Sequence, residues 1–129
     1  MSVLIVRLGS PRSRREGTRI GTVRRPPRGV PKAEFASQNW YDVWFPTLAP
    51  SLATMKLGLA ARTSAQWNAF SRKYLAEMAA PPARDAIALL AALSHRANFS
   101  VGCYCEDEAR CHRSLLRRLL AAHGGDIAG

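Results

Sequence analysis

The stretch from residue 98 to residue 123 constrains the fold more than any other part of the chain. A β-rich run at 98–104 leads into a polar loop, and the loop leads into a segment carrying Leu115, Leu116, Leu119 and Leu120. Leucines at those spacings lie along one stripe of a helix. Strand, loop and helix in that order form the unit of an α/β layer, and the turn at the strand's carboxyl end is where such layers build ligand sites. Val3 to Leu8 reads as a second buried strand and 18–23 as a third, weakened by Gly21.

The prolines punctuate the rest. Pro26, Pro27 and Pro31 hold 24–31 extended, in polyproline-like geometry. Residues 33–45 read as a short helix with an apolar side formed by Trp40, Tyr41, Trp44 and Phe45. Pro46 and Pro50 frame a loop, and 58–63 read as a linker. Ser64 is the expected N-cap of a helix to Ala80, because Trp67, Phe70, Tyr74 and Met78 share one face. Pro81-Pro82 stops it, 82–97 form an Ala/Leu-rich helix, and His112 to His123 form the last, ended by Gly124-Gly125. The order β-β-α-α-α-β-α predicts a small single α/β domain over residues 1–129, with a short, mainly parallel sheet flanked by helices.

Charge is distributed unevenly. Nine of the nineteen Lys/Arg residues lie in residues 1–32, opposed there only by Glu16, and the chain's net charge is +10. Such a local field attracts phosphates, nucleic acid or other anions. The three cysteines cluster instead of forming a staple framework, which fits a reducing compartment. No run approaches the ~20 apolar residues of a membrane helix, and the first residues lack the pattern of a signal peptide. A cytoplasmic protein with no membrane partner is the expectation.

Val101 to Arg113 holds all three cysteines and one of the three histidines. As a zinc set, Cys103, Cys105, Cys111 and His112 have unfavourable spacing, because Cys-x-Cys and adjacent Cys-His ligands are unusual. No metal and no cofactor is therefore assigned from the sequence. As an anion site, Arg113 joins the free N–H groups of residues 111–114 at a helix N-terminus. There Cys111 gains thiolate character, and His112 serves as acid or base. As packing, Cys103 and Cys105 are inert strand residues. A tyrosine-phosphatase loop is excluded: four residues separate Cys105 from Arg110, three are acids and none is glycine.

Four pieces in order resemble the domain-of-unknown-function family 488 (DUF488). They are Arg19–Lys32 with its Pro27-Arg28-Gly29, Leu48-Ala-Pro-Ser51, the run Trp67–Met78, and Cys111-His112-Arg113 after a strand. The resemblance covers nearly the whole chain and implies a small bacterial α/β protein, without an activity to carry over. It implies shared polar positions at Arg24, Arg28, Cys111, His112 and Arg113. It also implies an aspartate just before the first arginine, where this chain has Val23.

The leading expectation is a pocket for a small anionic or phosphorylated ligand. Arg24 and Arg28, four apart on a stiff segment, would form a fork. Arg113 would add charge, and Cys111 and His112 would act on the ligand. In a structural alternative, Arg25 and its neighbours pair with Glu106, Asp107 and Glu108. Two other classes compete: a non-catalytic nucleic-acid-binding module using the basic N-terminal segment, and a structural or partner-binding domain. Trp67, Phe70 and Tyr74 read as core, and Trp40, Tyr41 and Trp44 as surface.

Overall fold

The computed structural model describes residues 1–128 and contains a five-stranded sheet, all of whose pairings are parallel. The strands are β1 (Val3–Arg7), β2 (Thr18–Gly21), β3 (Val43–Trp44), β4 (Phe99–Cys103) and β5 (Ile127–Ala128). Their spatial order is β3-β2-β4-β1-β5. The helices are α1 (Leu52–Ala60), α2 (Ser64–Met78), α3 (Ala83–Leu93) and α4 (His112–Ala122). The expected α/β class and parallel sheet are what the chain adopts.

β4 is central, and every one of its residues is buried. Val3 and Thr18 flank Phe99 on its two sides, and Ile5 and Ile20 flank Val101. A parallel strand covered on both faces is expected to be rich in small and apolar residues. Against the sheet, Phe70, Tyr74 and Met78 of α2 pack with Ile87 of α3 and with Leu116 and Leu120 of α4. Helix α2 begins with a reciprocal cap one residue earlier than expected. The Thr63 side chain accepts from the Gln66 amide, and the Gln66 side chain reaches back to the Thr63 amide.

Two expected elements fail, and 24–31 are not extended throughout, since the chain turns at Arg28–Gly29, where Gly29 takes a φ of 75°. Residues 33–45 do not form a helix: a short 3-10 turn at Lys32–Glu34 is followed by turns and by β3. Asn39 takes a left-handed φ of 62°. Its carbonyl accepts from the Gly9 amide and from the Arg19 guanidinium, so tertiary contacts fix the break. Val43 and Trp44 then pair with Ile20 and Gly21. Tyr41 is buried and not on the surface, and its ring occupies the space a Cβ on Gly21 would need. Gly21 thus marks a close approach within the strand.

The second failure is α1: the sequence reads 58–63 as linker and assigns no element to 51–57. Ser51 caps it through the Thr54 amide. Gly58, read as a linker residue, lies inside the helix, where a Cβ would sit 3.0 Å from the Phe70 ring. Glu77 ties the helix down from α2, accepting from the Ser51 amide and hydroxyl and from the Thr54 hydroxyl.

Much of the N-terminal basic charge is structural. Arg19 is fully buried and pairs with Glu16, which also accepts from the Ser100 hydroxyl at 2.8 Å. Arg12 pairs with Asp42, and Arg7 lies 3.6 Å from Glu106. Among the described residues no helix is long and apolar enough to cross a membrane.

Candidate functional site

Two chain segments leave the carboxyl edge of the sheet side by side. β2 continues as Thr22, Val23 and Arg24, and β4 ends at Cys103, from which a loop returns to start α4 at His112. A small apolar cluster knits this edge together, with Val23, Tyr41, Cys103 and Cys111 among its buried members. Beside it lies a cavity of about 240 Å³, lined in part by Val23, Arg24, Arg25, Cys103, Cys105 and His112, and closed by Met55 and Leu59 of α1. A smaller hollow of about 70 Å³ shares Met55, Leu59, Cys105 and His112 with it and adds Cys111 and Arg110. No carboxylate lines either one.

His112 is the first residue of α4, and its position is set from β2. Its Nε2 lies 2.7 Å from the carbonyl oxygen of Thr22. A carbonyl only accepts, so Nε2 carries the proton and Nδ1 the lone pair. That Nδ1 faces the Cys111 sulfur at 3.8 Å. Burial lowers the pKa of the imidazole to about 4, against the opposing pull of the Thr22 carbonyl and with help from the charge of Arg113. The ring is neutral at pH 7. Cys103 and Cys111 are joined through their sulfurs as a disulfide, and their Cα atoms stand 7.8 Å apart. Cys105 is free and half-buried; burial raises its pKa, with Arg113 pulling the other way.

The arginines divide by role. Arg24 lines the cavity, but its guanidinium is held by three carbonyls: Nε donates to Pro50 at 3.0 Å, and Nη2 to Pro46 at 3.1 Å and Ala49 at 3.2 Å. Arg113 is buried and outside the cavity lining. Its Nη2 donates to the carbonyls of Cys105 at 2.7 Å and Glu106 at 3.3 Å, while its buried Nε has no partner among the described residues. Arg28 is exposed and also outside the lining. Arg25, which the sequence suggests as a pairing partner for the loop acids, makes no ion pair among the described residues and lines the cavity. Those acids are engaged elsewhere: Glu106 by Arg7, Asp107 by the Ala109 amide, and Glu108 by Arg117. Arg110 sits over the Trp67 ring, 5.8 Å from its centre.

The structure therefore brings Arg24, Cys111 and His112 to one edge, keeps Arg113 beneath the adjoining loop, and leaves Arg28 on the surface. Arg25, Met55 and Leu59 escape sequence reasoning, the last two because the sequence assigns no helix there. The Ser51 cap ahead of Thr54 is the signal that could have revealed them. Val23, at the position where an aspartate is implied, contributes apolar surface and leaves the edge without a carboxylate base.

No curated protein matches the chain, and no solved structure does. One family model, described as DUF488-N3a, active DUF488-N3 subclade, matches residues 3–124.

Proposed function

The chain belongs to the DUF488 family, and from that premise we propose that it binds a small ligand with an anionic group and a compact apolar body at the carboxyl edge of β2 and β4. The observation that carries this reading is the cavity itself: it has arginines and no acid in its lining, with Met55, Leu59 and Val23 supplying an apolar wall. Open parallel sheets commonly take ligands at this edge. Arg25 supplies a guanidinium with no ion-pair partner among the described residues for the anion, while Arg24 and the buried Arg113 add fixed positive charge nearby. His112 lines the cavity, and Cys111 lies beside it in the adjoining smaller hollow. The description of the matched subclade as active supports a site with chemistry of its own.

The competing class is a nucleic-acid-binding module. It draws on Arg14, Arg15, Arg28 and Lys32, which are exposed and make no ion pair among the described residues. The concave, partly apolar site favours the small ligand.

The test is calorimetric titration with phenyl phosphate and with inorganic phosphate. Saturable binding that is stronger for the aryl compound, and lost in Arg25→Ala with the fold retained, is expected. Absence of saturable binding refutes the reading. So does affinity confined to random oligonucleotides and falling steeply with salt.

A further inference from the structure

Cys103, Cys111 and His112 offer three buried donor atoms that all lie within 4.8 Å of one another. The two cysteine backbones stand too far apart for the usual bridge. Cα atoms joined by a disulfide are commonly ~5.5–6 Å apart, and beyond ~7 Å the backbone must move. Here the separation is 7.8 Å. Once reduced, the pair is free to part to the ~3.8 Å that two thiolates keep around a shared tetrahedral ion at ~2.3 Å.

His112 is oriented as metal-binding histidines are. Its Nε2–H is committed to the Thr22 carbonyl at 2.7 Å, and Nδ1 is turned toward the Cys111 sulfur. A ligating imidazole characteristically donates its other N–H to such an acceptor, which fixes both tautomer and ring plane. The adjacency of Cys111 and His112 is no obstacle. Cys111 is extended, at φ −134° and ψ 149°, and His112 opens the helix, so the chain turns between the two ligands.

We infer that, with the Cys103–Cys111 pair reduced, Cys103, Cys111 and His112 bind a zinc-class divalent cation whose fourth coordination position opens into the cavity. The set of two thiolates and a neutral imidazole suits such an ion, and two thiolates balance its charge within a buried site. Both Cys103 and His112 line the cavity, which gives the open position its direction. Cys105 stands outside the cluster of donors. The acids of the intervening loop are held by Arg7, by the Ala109 amide and by Arg117, so they do not compete as ligands. An ion there would polarise an anionic oxygen of a bound ligand, and Cys111 would be a ligand atom instead of a free nucleophile. The inference rests on the proposed function only for what the open position meets; the cation site itself is independent of it.

The test uses the full chain, purified under reducing conditions and titrated with Co2+ alone, with no phosphate or organic ligand present. Wild type is expected to take up one equivalent, with thiolate-to-cobalt charge-transfer bands and the intense ligand-field bands of a tetrahedral site, both abolished by Zn2+. Cys103→Ser, Cys111→Ser and His112→Ala lose the uptake while circular dichroism reports the fold, and Cys105→Ser keeps it. Wild type that takes up no equivalent overturns the inference, whatever the variants do. So does loss of uptake in Cys105→Ser, or a Cys103–Cys111 disulfide that forms in the presence of stoichiometric Zn2+. Cobalt uptake without phenyl phosphate binding refutes the anion reading alone, and the reverse result refutes the cation site alone.

Discussion

Replacing Glu16 by Gln leaves the shape of the molecule unchanged and removes one charge from its interior. Arg19 is fully buried, and Glu16 meets it through two hydrogen bonds. After Glu16→Gln the guanidinium keeps two firm carbonyl partners, Ser10 at 2.9 Å and Asn39 at 2.6 Å, but loses the carboxylate it is paired with. Breaking a buried pair from one side costs about 3–5 kcal/mol. The surviving carbonyl bonds place this site at the lower end, about 3 kcal/mol, a large share of the ~5–15 kcal/mol that holds a domain together. Urea denaturation monitored by circular dichroism reads the loss as a lower midpoint at unchanged slope. The pH dependence carries a second signature. Burial alone would push the Glu16 carboxyl up, but hydrogen bonds from Arg19 and Ser100 and the Arg19 charge outweigh it and hold the pKa below the ordinary carboxylate value. The folded pKa is thus below the unfolded one. The stabilisation is complete above the unfolded value and is lost as pH falls through the folded value. The gap between wild type and Glu16→Gln is therefore wide at pH 7 and narrows on acidification. A loss below about 1 kcal/mol at pH 7, or a gap that widens in acid, refutes the reasoning.

Tyr74 is fully buried and donates to the Leu48 carbonyl at 2.8 Å, so Tyr74→Phe orphans that carbonyl and is expected to cost about 1–2 kcal/mol by the same denaturation assay. Gly21→Ala forces the Tyr41 ring out of its seat; a loss of about 1–3 kcal/mol is expected, with a change in near-ultraviolet circular dichroism reporting the displaced aromatic ring.

The parts of this fold that were legible in the sequence are those where one local signal suffices. The spacing of Phe70, Tyr74 and Met78 marks α2, and the leucine stripe marks α4. The β-rich runs mark β1 and β4. α1 was obscured because its sequence, Leu-Ala-Thr-Met-Lys-Leu-Gly-Leu-Ala, is apolar on most sides and contains a glycine whose purpose lies in a different helix. β3 was obscured because a two-residue strand carries no periodicity, and Asn39 breaks the preceding turn for contacts made with Gly9 and Arg19. At the site, Cys111 and His112 announced themselves by their place at a helix start. The fate of the arginines did not, because whether a guanidinium faces a ligand or a neighbouring carbonyl depends on loops distant in sequence. Arg24 and Arg25 are adjacent, yet one is held by Pro46, Ala49 and Pro50 and the other lines the cavity with no ion pair among the described residues.

The anchoring of Arg24 on those three carbonyls has a kinetic corollary. A side chain already immobilised has no rotamers left to surrender when an anion arrives, so its attraction acts at full strength during the approach. An incoming phosphate would feel that pull from about one Debye length away, ~10 Å at 0.1 M salt. Capture should therefore be fast in dilute buffer and slow markedly as ionic strength rises, while the escape rate stays nearly constant.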